Sequence, residues 1–149
     1  MVLKMKVKDC MCKNVVYIRP ETSVCDCAHM MQQHHVGCIP VCDCHDNMVG
    51  LVTDRDIILR TVACNKNAQT TPVSEVMTCN VCCCPSEADI KEAEHLMETN
   101  KVRRLPVIEN NKIIGILTLG DLAANADIDN KEVSQTLETI CKDDKQNAE

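Results

Sequence analysis

The sequence predicts a fold of mixed helices and strands built twice over, each copy running strand, helix, strand, strand, helix. Three observations carry this. "GLVTDRDI" at Gly50–Ile57 returns as "GILTLGDL" at Gly115–Leu122. "HMMQQHHVGCIPV" (His29–Val41) returns as "HLMETNKVRRLPV" (His95–Val107), and "VKDCMCKNVVYIRPE" (Val7–Glu21) as "VSEVMTCNVCCCPSE" (Val73–Glu87). The offset stays at 65 or 66 residues throughout, so the two halves align with single-residue gaps. Repetition on this scale fixes the architecture before any single element does.

Each element has its own signal. "NVVYI" and "NVCCC" are short strand candidates ending near Pro20 and Pro85, since proline cannot donate to a ladder. Ser86-x-x-Asp89 has the spacing of a capping box. Val24, Ala28 and Met31 fall at helical spacing, as do Ile90, Ala93 and Met97. "CIPVC" and "LPVI" read as strands. "NM" and "NNK" supply turns into "VGLVT" and "IIGILT", which makes a hairpin. A second helix follows from Asp54 and from Leu119. The copies are set at residues 7–63 and 73–126, with a linker at 64–72 and a tail at 127–149. In the tail, "NKEVSQTLETICK" reads as an amphipathic helix with Val133, Leu137 and Ile140 on one side, and "DDKQNAE" reads as disordered. One copy of about 60 residues leaves apolar surface uncovered, so two are expected to pack together.

Composition narrows the function. The chain has 149 residues, 45% of them hydrophobic, but only one aromatic residue, a tyrosine. Its core is therefore Val, Ile, Leu, Met and Cys, and stacking platforms for single-stranded nucleic acid are missing. A net charge of -6 argues against neutralising a phosphate backbone. No apolar run approaches the roughly 20 residues of a membrane span, and "MVLKMKVKDC" lacks a secretory apolar segment. A cytoplasmic protein with no nucleic-acid or membrane partner is expected. Thirteen cysteines, an odd number without an export signal, fit free thiols in a reducing compartment.

The repeated phrase supports two readings. Thr53 with Asp56, and Thr118 with Asp121, are spaced as a helix cap and its third residue. The same geometry suits a nucleotide. Backbone N–H groups at a helix start take phosphate, while an aspartate accepts bonds from a ribose diol. No catalytic set is visible: there is no nucleophile elbow, and with four glycines no phosphate-binding loop. His29 and His95 recur in register and read as helix-surface residues.

Residues 7–126 resemble a tandem pair of CBS domains, a Bateman module. The resemblance lies in the two Gly-h-h-Thr-x-x-Asp phrases (h, hydrophobic), in Ile39-Pro40-Val41 and Leu105-Pro106-Val107, and in the openings "KDCM" and "SEVM". The chain is most similar to the small stand-alone bacterial members carrying "TDRDI". The resemblance implies an α+β fold of two β-α-β-β-α repeats with pseudo-twofold symmetry and two clefts, a homodimer, and a non-catalytic regulatory role. It also implies AMP, ADP or ATP as regulatory ligand, with no required cofactor, and signalling through conformational change or a target protein. Carried over by residue, the first cleft would use Thr53, Arg55 and Asp56 with Asn80, Val81, Arg103, Arg104 and Pro106. The second would use Thr118 and Asp121 with Val15, Val16, Cys38, Ile39 and Pro40. Arg55 and Arg104 are matched there by Gly120 and Cys38, so the first cleft is the one suited to phosphate.

Two rival readings stay open. One is a metal- or redox-responsive protein using its thiols, with Cys38, Cys42, Cys44, Cys79 and Cys82 as ligand candidates. The other is a structural interaction module with non-functional clefts. Against chelation, Cys10 aligns with Val76, Cys27 with Ala93, Cys42 with Ile108 and Cys83 with Ile18, so these cysteines replace apolar residues. Cys25 and Cys27 lie about 200° apart around a helix and cannot easily share a metal.

Overall fold

The computed structural model describes residues 4–125 and 127–146. In chain order the elements are α1 (Val7–Cys10), α2 (Val24–His34), β1 (Cys38–Cys42), β2 (Met48–Thr53), and α3 (Asp54–Ile57), which runs on as a π-helical turn over Ile58–Val62. A 3-10 turn at Val73–Glu75 follows, then α4 (Ile90–Asn100), β3 (Arg104–Glu109), β4 (Lys112–Thr118), α5 (Leu119–Ala124) and α6 (Asn130–Gln146). Helices and strands mix as expected, with an antiparallel hairpin in each copy. No described helix is long and apolar enough to cross a membrane.

The chain divides into two compact units that do not follow the repeats. One holds Val15–Val81 with Asn111–Ile113; the other holds the residues up to Asn14, Cys82–Asn110, and those from Ile114 on. Each unit thus takes the opening segment of the other copy. Each has its own core: Ile39, Val41, Val52, Val73 and Val76 in the first, Val7, Leu105, Val107, Leu117 and Leu122 in the second.

In the first unit β1 is buried along its whole length, and its register sets Cys38 opposite Thr53 and Pro40 opposite Leu51. Two further segments flank the hairpin, each by one bridge: Ile18 parallel to Val41, and Thr78 antiparallel to Leu51. The second unit repeats this, with Cys84 parallel to Val107 and Cys12 antiparallel to Ile116. The expected strands "NVVYI" and "NVCCC" therefore shrink to one paired residue each. Pro20 and Pro85 stop the ladder close behind Ile18 and Cys84.

Three details differ from the sequence reading. The cap of α4 is Asp89, whose carboxylate accepts from Glu92 N–H at 2.9 Å; Ser86 instead donates to Glu109 Oε1 at 2.7 Å. The cause lies in residues 86–89, which stay non-helical because Val7 and Lys8 N–H bond to the carbonyls of Ala88 and Ser86. In α6 the buried side is Val133, Thr136 and Ile140, while Leu137 is 41% exposed, since the stripe runs i, i+3, i+7. This helix also continues through 143–146, part of the segment read as disordered; residues 147–149 lie outside the described residues.

Candidate functional site

The repeated phrase closes a capping box in both copies. Thr53 Oγ1 accepts from Asp56 N–H at 3.1 Å, and Asp56 Oδ2 accepts from Thr53 N–H at 3.0 Å. Thr118 and Asp121 do the same at 3.0 and 2.9 Å. Each box satisfies donors that a helix start leaves orphaned.

The glycine that opens each phrase is there for space, since no described glycine has a positive φ. A Cβ on Gly50 would lie 2.6 Å from Met77 Sδ and 3.0 Å from the Thr78 carbonyl; on Gly115 it would meet Met11 Sδ at 2.5 Å and the Cys12 carbonyl at 3.0 Å. In each unit the borrowed opening segment crosses the hairpin directly over this glycine.

Around Asp56 the crossing adds chemistry that the other copy lacks. Thr78 Oγ1 donates to the Asp56 carboxylate at 3.4–3.5 Å. Arg60 approaches Asp56 Oδ1 at 3.8 Å and donates to the carbonyls of Val76 and Met77 at 2.9 and 3.1 Å. Asp56 is 9% exposed. A carboxylate has about four acceptor sites, so it retains capacity beyond these bonds. Thr78 and Arg60 were not singled out from the sequence. The signal was available: Thr78 aligns with Cys12, so only one copy carries a hydroxyl there.

Thr53, Arg55, Asp56, Asn80 and Val81 all belong to the first unit, together with Val15, Val16, Cys38, Ile39 and Pro40. Thr118, Asp121, Arg103, Arg104 and Pro106 belong to the second. Each arm before the h-Pro-Val strand lies next to the cap of its own unit: Gly37 O accepts from Asp54 N–H, and Arg103 O from Leu119 N–H, both at 3.0 Å.

Among the described residues no cysteine forms a disulfide. Burial pushes Cys27 and Cys84 up to about 11, and raises Cys10, Cys42 and Cys82 as well. Such thiols stay protonated and pack as small apolar groups. Cys84, not Cys83, occupies the place of Ile18, for it makes the matching bridge; the single-residue gap falls after it. Of the five ligand candidates, Cys38 and Cys42 stand about 13 Å apart along β1, Cys44 and Cys79 are exposed, and Cys82 belongs to the other unit. Among the described residues no three His, Cys, Asp or Glu side chains are placed to share a metal ion.

The CBS domain family model matches residues 7–62 and 73–126. The CBS domain-containing protein YhcV of Bacillus subtilis is 41% identical over 119 residues, covering 80% of this chain and 84% of that protein. The crystal structure of the CBS domain protein TA0289 of Thermoplasma acidophilum matches with a TM-score of 0.80 at 27% identity, over 92% of this chain and 76% of that one. A crystal structure of Hypoxic Response Protein I with two coordinated zinc ions matches with a TM-score of 0.74 at 29% identity, over 80% and 97%. The Mycobacterium tuberculosis protein, hypoxic response protein 1, is 28% identical over 134 residues, covering 90% of this chain and 92% of its own.

Proposed function

The chain belongs to the CBS-domain family and carries the domain twice; from that premise we propose that it is a non-catalytic, cytoplasmic sensor of adenine nucleotides. The ligand is AMP, ADP or ATP. Asp56 takes the ribose hydroxyls, and Arg55, on the same cap, serves the phosphates. The observation that carries this reading is the Asp56 carboxylate. It is nearly buried, held by Thr53 N–H and Thr78 Oγ1, and set in the same unit as Asn80 and Val81. An acceptor fixed before the ligand arrives loses little on binding. Asp121 has the same cap without the hydroxyl partner, and Gly120 stands where the first cap has Arg55. This favours the first set as the nucleotide site, with Thr118 and Asp121 forming a weaker one.

Signalling follows if the nucleotide binds one arrangement of the chain more tightly than another. A second copy of the chain is the proposed cover for Ile58, Leu59 and Val62, large apolar side chains left exposed on one helical stretch.

Calorimetric titration of the reduced protein with AMP, ADP and ATP tests the reading. Asp56→Asn keeps an oxygen for the cap but removes the charge, and should weaken binding about tenfold or more. Arg55→Ala should weaken ATP more than adenosine; Asp121→Asn should change little. No binding by any nucleotide, or equal binding by Asp56→Asn, would overturn it. The rival metal-responsive reading rests on the zinc in Hypoxic Response Protein I. Stoichiometric zinc in the purified protein would favour it.

A further inference from the structure

We propose that the cavity between α4 and α6 is a binding site for a small organic cation carrying primary ammonium groups. The cavity has a volume of about 240 Å³ and is lined by Glu94, His95 and Glu98 of α4 and by Glu132 and Thr136 of α6, with Lys91 at its edge. Glu94 is 7% exposed, and its Oε1 is buried with no hydrogen-bond partner. A buried carboxylate without a partner is costly, so this oxygen marks a position where a donor belongs.

The neighbours define the donor. Glu98 is fixed by Thr136 Oγ1, which donates to its Oε1 at 2.8 Å. Glu132 has Lys91 Nζ at 4.0 Å, with that lysine 77% exposed, so the pair is loose and worth little. Three carboxylates thus face one distant ammonium, which repels anions and attracts cations. Burial, Glu132 and Glu98 all raise the Glu94 carboxyl above its ordinary value, Asp129 adds to this, and Lys91 opposes it. A bound ammonium would oppose that shift, as Lys91 does. A metal ion fits less well, because among the described residues no three acidic, His or Cys groups are placed to share one.

The duplication supplies a control. Glu94 aligns with Ala28 and Glu98 with Gln32, while His95 aligns with His29. Acidic residues therefore replace neutral ones only in the copy whose first helix is packed against α6. The cap, the glycine and the hairpin are shared by both copies; this cavity is not.

Titration of the full chain with 1,4-diaminobutane and with Nα-acetyl-lysinamide at low ionic strength tests the proposal. One saturable site per chain is expected, with affinity that falls as salt is added. Tighter binding of the diamine would assign the site to a free amine, and tighter binding of the lysine derivative to a lysine side chain of a protein. Glu94→Gln should weaken binding about tenfold or more, and Glu94→Ala, which copies the first repeat, should do the same. Both should fold, judged by thermal melting, and bind nucleotides as the parent does. The proposal fails if neither probe saturates, if folded Glu94→Gln binds equally well, or if magnesium or zinc occupies the carboxylates without competition from the diamine.

Discussion

Replacing Gly50 by alanine tests the account of the repeated phrase most directly. The new methyl would stand 3.0 Å from the Thr78 carbonyl oxygen and 2.6 Å from Met77 Sδ. The methionine can swing away, but the carbonyl cannot. It accepts from Leu51 N–H at 2.9 Å, Thr78 N–H returns a bond to Leu51 O at 2.9 Å, and Arg60 holds the two preceding carbonyls. Overpacking of this kind costs about 1–3 kcal/mol. The loss of unfolded-state freedom on going from glycine to alanine returns about 0.4–1 kcal/mol. The net expectation is a loss of roughly 0.5–2 kcal/mol, with a similar loss for Gly115→Ala. Gly120 is the control. Its Cβ would meet only Thr118 Oγ1 at 3.5 Å, an ordinary contact inside α5, so Gly120→Ala should gain about 0.5–1 kcal/mol. Urea titrations followed by far-UV circular dichroism give the three midpoints, at slopes that should not change. If Gly50→Ala and Gly120→Ala shifted the midpoint in the same direction, the crossing over the hairpin would not be the reason for the glycine.

Three further outcomes follow from the same structure. Under native conditions at pH 8, thiol reagents should modify the exposed Cys12, Cys44, Cys64 and Cys79 well before Cys27 and Cys84; early loss of Cys27 by peptide mapping would refute its burial. Glu87 is held at about 2 by Lys6 and Lys8, below its ordinary 4.5, so its contribution is complete above pH 4.5 and fades as the pH falls toward 2. The stability gap between the parent and Glu87→Gln should close over that window and shrink with salt; a gap unchanged at pH 2 would exclude the ion pair as its source. Val62→Lys places a charge among the exposed apolar side chains proposed to meet a second copy; if the parent is a dimer by light scattering the variant should be a monomer, and an unchanged dimer would move the interface elsewhere.

The caps and hairpins were legible because their signals are local. Thr-x-x-Asp before an apolar run, and h-Pro-Val before an Asn-containing turn, need only a few neighbouring residues to act. The cysteines were legible through the second copy, where Ala93 answers the buried Cys27. What was hidden depends on distant partners. Ser86 has the spacing of a cap, but α1 holds residues 86–89 out of the helix and passes the role to Asp89. Leu137 has the better apolarity, yet Thr136 is the residue turned inward, where its hydroxyl meets Glu98 and the Glu132 carbonyl. Thr78 and Arg60 are answered by Cys12 and Asn125 in the other copy, so their signal is a difference between the copies, which a search for matching pairs passes over.

The exchange of opening segments was the least legible feature, because an apolar opening reads the same whichever hairpin it joins. It makes a prediction that the repeat boundaries alone would reverse. In the second unit Val7 is fully buried beside Leu105, Leu117 and Leu122. Val7 and Lys8 N–H bond to Ala88 and Ser86, Met5 O accepts from Ile90 N–H, and Cys12 and Ile116 exchange both of their backbone bonds. A chain lacking residues 1–14 would therefore lose an apolar anchor worth about 1.5–3 kcal/mol and one flank of the β3–β4 hairpin. If a repeat were a self-contained unit, the damage would fall on the first copy, 65 or 66 residues closer in sequence. The exchanged arrangement puts it on the second. Amide hydrogen exchange separates the two: Ile90 and Ile116 should lose protection in the shortened chain, while Leu51 and Val52 keep theirs. Loss confined to β1 and β2 would mean that each copy keeps its own opening.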